Sequence, residues 1–449
     1  MSTAQKNVPL RPMIVKDDKK IIRSWAMFDW ANSSYNLVIT STIFPAYYTA
    51  ITTTKEYGDK VQFFGLEFVN TALSNYVLAL AYLVIVIVTP FLTSAADFHG
   101  NKKIFLKFFT WLGAISCAGL FFFKLETLEM SLILFALAAI GYCGGVVFIN
   151  SYLPDIASKE QQDSVSAKGF AYGYVGSVIL QIICFVFVLM PELFGITDLS
   201  FPARLSFLLV GIWWITFAQI PIRALPKGNL NFNKAEKMKL SSGVQNLLKV
   251  YREMSEMGIL KKFLAYFFFS AIGVQTIMLV SANFGEKILN LGTAKLITTI
   301  LIIQLVAIGG ALLMSRLSQK FGNIKVLILV VCIWIGVCIS AYFISNEYQF
   351  YVLAAIVGTI MGGIQSLSRS TFSKLIPENT SDTASYFGFY DVTEKIAIVT
   401  GLFTFGIIEE ITGNMRYSAA FLSVFFMIAL GVLFSILIAQ RNLVKKYQI

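Results

Sequence analysis

Long apolar runs separated by short polar connections recur from one end of the chain to the other. They fall at approximately 24–50, 70–94, 103–123, 131–154, 167–190 and 204–222, then at 261–284, 293–317, 324–344, 350–374, 384–410 and 416–440. Most are about 20 to 25 residues, the length a helix needs to cross a hydrocarbon core roughly 30 Å thick. The pattern predicts an all-α membrane protein with twelve transmembrane helices. One long polar connection, 223–260, is rich in Lys and interrupted by Ser241-Ser242-Gly243. It divides the spans into two six-helix bundles, 24–222 and 261–440, leaving an N-terminal segment 1–23 and a tail 441–449 outside them. Inside this linker Val244, Leu247, Leu248 and Tyr251 recur at helical spacing. They suit an amphipathic helix on the membrane surface, and a solvated tether equally.

The two halves repeat. Asp97-Phe98-His99-Gly100-Asn101-Lys102-Lys103, after the second span, matches Gln319-Lys320-Phe321-Gly322-Asn323-Ile324-Lys325 after the eighth. Asp163, Ser166, Gly169 and Phe170 recur as Asp382, Ser385, Gly388 and Phe389 at nearly the same offset. Two independent matches indicate a duplicated unit, and duplicated halves around a central cavity are a secondary-transporter pattern.

Composition narrows the class. With 57% hydrophobic and 14% charged residues, a soluble fold is excluded, since ordinary soluble domains carry about 25% charge. The net charge of +11 follows the positive-inside rule rather than a nucleic-acid footprint. Of the Lys and Arg residues only Lys55, Lys60, Lys124, Arg204, Lys287, Lys295 and Arg416 fall in outer loops, with Lys395 inside a span. Both termini are therefore expected in the cytoplasm. Cys117, Cys143, Cys184, Cys332 and Cys338 sit in apolar runs, where they act as small hydrophobes; no disulfide, metal or cofactor site is expected. Residues 1–23 lack the apolar core of a signal peptide, so the first span is expected to stay as an anchor. His99, the single histidine, lies in a loop.

Charge inside a span marks candidate chemistry. In the eleventh span Asp391 lies about 10 Å and Lys395 about 16 Å from a start near Ala384, close to the bilayer centre. Each such charge costs about 2.5 to 3.5 kcal/mol on insertion scales unless it faces a partner or a watery cavity. Asp391 and Lys395, four apart, can neutralise each other. Glu394 is then left without a cation on its own helix, and is expected to exchange a proton that drives solute movement. The alternatives are a structural network of all three charges with another helix, or Lys395 releasing Asp391 to take a substrate carboxylate. In the first span Asp29, Asn32, Ser33, Asn36 and Thr40 make a polar stripe, which lines a cavity or bonds to other helices. Asn32, Asn36, Tyr172, Gln365 and Lys395 are expected to line the solute cavity; Glu394, Asp391 and Asp29 are the candidates for proton coupling. Structural pairing suits Asp29 as well as function. Arg369 can reach a substrate carboxylate, but snorkelling to phospholipid or clamping Asp155 or Asp382 is the stronger expectation. Gly169, Gly173 and Gly176 read as close-packing positions of the fifth span.

The loop after the second span resembles that of the major facilitator superfamily, an Asp, two residues, Gly and then basic residues. Asp97, Gly100, Lys102 and Lys103 fit, and the resemblance implies a conformational latch that changes during alternating access. Thr93 stands where the motif has its first Gly, and the second copy has Gln319 in place of Asp. Longer strings resemble the unknown-major-facilitator branch, related to the autophagy-associated vacuolar amino-acid effluxers. They are Trp25-Ala26-Met27-Phe28-Asp29-Trp30-Ala31-Asn32-Ser33-Ser34-Tyr35-Asn36, Asn150-Ser151-Tyr152-Leu153-Pro154-Asp155, Gly169-Phe170-Ala171-Tyr172-Gly173-Tyr174, Gln365-Ser366-Leu367-Ser368-Arg369-Ser370 and Gly388-Phe389-Tyr390-Asp391-Val392-Thr393-Glu394-Lys395. The resemblance implies a secondary active transporter; the substrate does not follow from it, since amino-acid export is the eukaryotic members' activity. The expectation is a monomer in contact with membrane lipid that moves a small polar solute, amino acids included, with protons as coupling ion through Glu394 and with no nucleic-acid partner. The lack of long insertions suits a bacterial cytoplasmic (inner) membrane. The competing reading, an integral-membrane enzyme acting on lipid intermediates, calls for a His, Asp or Glu cluster at a membrane face, which the chain does not display.

Overall fold

The computed structural model describes residues 15–54, 58–226, 240–378 and 380–447. The first part of the N-terminal segment, most of the linker before Leu240, the side chain of Val244 and the last two residues of the tail lie outside the described residues. The chain is a helical bundle in two halves. In the first half α1 runs as Lys19–Ser34, Tyr35–Ile43 and Phe44–Thr52, followed by α2 (Asn70–Phe98), α3 (Lys102–Gly119), α4 (Leu128–Asn150), α5 (Gln162–Leu189) and α6 (Phe201–Ala224). The linker supplies α7 (Leu240–Glu256). The second half holds α8 (Gly258–Leu289), α9 (Thr293–Phe321), α10 (Asn323–Phe343), α11 (Glu347–Leu375), α12 (Thr383–Thr412) and α13 (Met415–Tyr447).

Ten helices among the described residues are long and apolar enough to cross a membrane. The two remaining long helical runs, α1 and α12, are those that carry the polar stripe and the charges. The helix count read from the apolar runs and the helical pattern agree; a short hairpin, Lys60–Phe63 with Leu66–Val69, is the addition. It turns on Phe64 and Gly65, both at positive φ, in place of the loop expected there.

Register changes inside α1. Tyr35–Ile43 form a π-helix, whose wider turn is matched by Ser41 Oγ donating to Asn36 O at 2.8 Å and Thr42 Oγ1 to Leu37 O at 2.9 Å, each five residues back. Pro45 has no N–H for the carbonyl of Ser41, which loosens the ladder just there. Such bulges gather at functional sites.

Each half has its own core. In the first half Trp214 is fully buried against Tyr35, and Gly141 lets α4 lie directly on the backbone of α3 at Phe109 and Gly113. In the second half Trp334 stacks on Phe426 with ring centroids 5.4 Å apart. The amphipathic helix in the linker forms, with a different buried face from the one expected. Val250 and Met254 enter the second core, Leu247 is half-buried, while Leu248 and Tyr251 are exposed. The spacing of residues 247, 250 and 254 keeps that face on the bundle, and residues 248 and 251 fall at its rim.

Candidate functional site

The halves are tied together at the end that bears α7 and the start of α1, the end expected to face the cytoplasm. Asp97, at the last turn of α2, accepts from the backbone N–H groups of Ala384 at 3.1 Å and Ser385 at 2.7 Å, and from Ser385 Oγ at 2.7 Å. These are orphan donors at the N-terminus of α12, where a carboxylate is favoured by hydrogen bonding and by the helix dipole. Gly100, at φ +59°, makes the turn that follows. Lys102 Nζ donates to Asp155 at 2.8 Å, to Ser151 O at 3.1 Å and to Thr383 Oγ1 across the halves. Lys103 instead reaches Leu225 O at 2.8 Å within the first half.

A second set of contacts between the halves exists, built differently from the first. No acid stands at Gln319; the carboxylate is Asp163, on the first turn of α5. It accepts from Lys374 Nζ at 2.5 Å, Asn323 Nδ2 at 2.7 Å and Ser318 Oγ at 3.1 Å, all from the second half. Asp382, the repeat counterpart of Asp163, takes Lys249 Nζ of α7 at 3.0 Å. That hydrogen bond, then the carboxylate charge, pushes the Lys249 ammonium above the ordinary lysine range. Further along α7, Glu253 accepts from Tyr386 at 3.1 Å, so α7 braces the first turns of α12.

Deeper in the bundle lies a buried ion pair between the halves. Arg369 of α11 places Nη1 3.2 Å from Asp29 Oδ2 and 3.0 Å from Asn150 Oδ1, and its other nitrogens donate to Ser166 Oγ at 2.9 Å and Ser166 O at 2.8 Å. Ser166 Oγ in turn donates to Ser366 O at 2.8 Å. The guanidinium lies between Trp25 and Phe170, 4.8 and 4.3 Å from their ring centroids. A Cβ at Gly169 would meet Asp29, Trp25 and Arg369 together, so only glycine leaves room for the pair. The partner of Arg369 is thus Asp29, where phospholipid, Asp155 or Asp382 was expected; the two acids are served by Lys102 and Lys249.

The third group is the charge cluster of α12. Lys395 Nζ lies 3.2 Å from Asp391 Oδ1, the expected pair. It also lies 3.0 Å from Glu394 Oε2, while Glu394 Oε1 accepts from Gln275 Nε2 of α8 at 2.8 Å. Glu394 is therefore not left over: an ammonium has three donors on a long stem, and a single Lys395 serves both acids. Asp391 Oδ2 is buried with no hydrogen-bond partner. Tyr82 of α2 and Tyr142 and Cys143 of α4 lie within electrostatic reach of these charges, so the cluster faces the first half.

Other candidates spread around this axis. Asn32 is buried with Oδ1 unpartnered, and Asn36 is exposed. Gln365 Oε1 accepts from Tyr174 across the halves at 3.0 Å. Tyr172 instead packs edge-on against Trp30, with centroids 6.5 Å apart. Asn150 and Ser166, which complete the Arg369 socket, were missed as site residues; each lies in a string or repeat match already visible in the sequence.

Superposition on solved structures gives the fold. A proton:xylose symporter, XylE, bound to a bromodeoxyglucose, matches with a TM-score of 0.70 at 12% identity, covering 93% of this chain and 95% of that one. At that identity the likeness shows the fold alone, two six-helix halves superposed over nearly the whole chain. A family model described as "Vacuole effluxer Atg22 like" matches residues 17–444. A Bacillus subtilis (strain 168) protein named as an uncharacterized MFS-type transporter, YxiO, is 30% identical over 411 residues, 91% of this chain and 93% of that protein. Autophagy-related protein 22-1 of Aspergillus niger is 27% identical over 303 residues, 62% of this chain but only about half, 48%, of that protein. The chain belongs to the Atg22-like family. It is a transporter rather than an enzyme, and a multi-pass membrane protein.

Proposed function

We propose that the chain is a secondary active transporter that moves a small polar solute, amino acids included, by alternating access coupled to protons. The observation that carries this reading is the buried cluster Asp391, Glu394 and Lys395, placed on α12 where the halves face each other. Charge is kept at such a depth only where it meets a partner, a solute or a proton path. The locks at the inner end, built from Asp97, Lys102 and Asp163, support a cycle in which that end opens and shuts. Glu394 and Asp391 serve proton coupling and Asp29 sits in the gate between the halves. Asn32, Asn36, Gln365 and Lys395 line the solute path, with Tyr172 beside it. The protein works as a monomer in a bacterial cytoplasmic membrane with both termini in the cytoplasm.

An untargeted metabolite comparison of deletion and overexpression cells identifies the solute, and proteoliposomes then test the coupling. Glu394→Gln keeps the acceptor for Gln275 and removes the titration. The expected result is loss of gradient-driven accumulation with counterflow exchange retained. Full pH-gradient-driven uptake in that variant sinks the proton role and leaves Glu394 as a structural member of the cluster.

A further inference from the structure

The cluster on α12 does not balance. Two carboxylates, Asp391 and Glu394, share the single ammonium of Lys395, and the next cation, Arg369, is committed to Asp29. The groups that face the cluster from neighbouring helices are neutral: Tyr82 on α2, Tyr142 and Cys143 on α4, and Gln275 on α8, with Tyr390 on α12 itself. Among the described residues one negative charge is in excess, and Asp391, with only 5% of its side chain exposed, holds one oxygen toward no donor. A buried charge without a partner is strongly disfavoured, so the site has to hold one more positive charge in each state it occupies. Lys395 cannot supply a carboxylate receptor here, because turning to a solute anion strands both of its own acids.

We propose that this cluster binds the protonated amine of the solute, through Asp391 and Glu394, and that the amine displaces a proton held by the same acids. The inference rests on the transporter reading and names the solute's recognised end. An ammonium carries three donors for the open Asp391 oxygen and its neighbours, and tyrosine rings such as those of Tyr82 and Tyr142 are favourable surroundings for a cation. The bookkeeping closes without any other species: the protonated cluster plus R–NH3+ gives the deprotonated cluster bearing R–NH3+, plus H+. Because one excess charge accepts one cation, proton and amine exclude each other, and the protein is an exchanger: amine and proton move in opposite directions.

The test uses the purified full chain in weak buffer with a pH indicator, and three probes of one carbon skeleton: isobutylamine, valine and isovalerate, with sodium chloride as a fourth. Isobutylamine and valine are expected to bind and release about one proton per protein, as linkage requires when a cation replaces a proton, while isovalerate and sodium release none. Asp391→Asn is expected to weaken amine binding about tenfold or more and to abolish the release. Its melting temperature and monodispersity report folding, and Asp391→Ser carries the same test should Asp391→Asn fail to fold. Binding of isovalerate with both amines silent, release on adding sodium alone, or amine binding with no proton released overturns the proposal. Silence of both amines in a protein that performs counterflow with the solute found in cells also overturns it, while leaving the transporter reading standing.

Discussion

Lys374 approaches Asp163 to 2.5 Å across the two halves, and the duplicated unit does not repeat this pair. The offset that carries Asp163 to Asp382 carries Asp155 to Lys374, so the second pair of symmetric positions holds two acids. Asp155 takes its cation from Lys102 and Asp382 takes one from Lys249, which comes from the linker helix. The connection between the halves has thus become part of the lock. Lys374→Met leaves Asp163 with only Asn323 and Ser318, at a cost of roughly 1–3 kcal/mol to the closed inner end. Cysteines placed along the inner ends of α5 and α11 should then label faster with water-borne reagents; unchanged labelling contradicts the lock.

Lys249 is more than half exposed, so Lys249→Ala should cost less than about 1 kcal/mol in overall stability. Its local effect is larger: hydrogen exchange at the first turns of α12 and along α7 should accelerate. The sign of the pH effect follows from the raised pKa of Lys249. The contribution is fully present below the ordinary lysine value and is lost only as pH rises through the raised one, so the brace does not switch near neutrality. Loss of protection on α7 between about pH 6 and about pH 8, the range in which histidine titrates, would contradict it.

Asp97 and Gln319 occupy matching positions in the repeat, and only Asp97 carries charge to a helix N-terminus. Asp97→Asn keeps one acceptor for Ala384 and Ser385 but loses the charge-assisted part, about 0.5–2 kcal/mol. It should lower turnover while leaving substrate affinity near its starting value, and Gln319→Ala should change neither quantity. Equal loss of affinity with unchanged cycling contradicts a conformational role.

The ion pair of Asp29 and Arg369 predicts a non-additive outcome. Removing either charge leaves the other buried, at about 3–5 kcal/mol, whereas Asp29→Asn with Arg369→Gln strands none. The double variant should melt higher than either single one. Gly169→Ala, which drives a methyl into both charges, should cost roughly 1–3 kcal/mol. A neutral Gly169→Ala would mean that α5 shifts without disturbing the pair.

The helices were legible because a spanning run writes its length directly into the chain, and the repeat exposed Asp97, Asp163 and Ser166. What the chain could not show was pairing over long separations. Arg369 and Asp29 are 340 residues apart, and no local pattern links them. The partners of Glu394 were only half legible, because helical-wheel geometry weighs its own helix, while Gln275 arrives from α8 and Lys395 serves two acids, the contacts that the alternative of a network with another helix called for. The π-helix left a fainter mark, the run Thr40-Ser41-Thr42 ahead of Pro45, which is informative only once the hydroxyls are seen reaching back five residues.

Asn32 and Asn36 flank that change of register, and they differ in exposure. Asn36 is exposed between buried neighbours, whereas Asn32 is 1% exposed with an orphan oxygen. A buried amide oxygen without a donor costs about 1–3 kcal/mol. The orphan is tolerable if a solute or water supplies the donor for part of the cycle. Single cysteines at these sites in an otherwise cysteine-free, transport-competent protein should therefore behave differently. Asn36→Cys should label with a water-borne maleimide at rest. Asn32→Cys should label slowly at rest, faster during turnover, and should be protected by bound solute. If both resist labelling from either side while transport continues, the stripe is interhelical glue and α1 does not line the solute path.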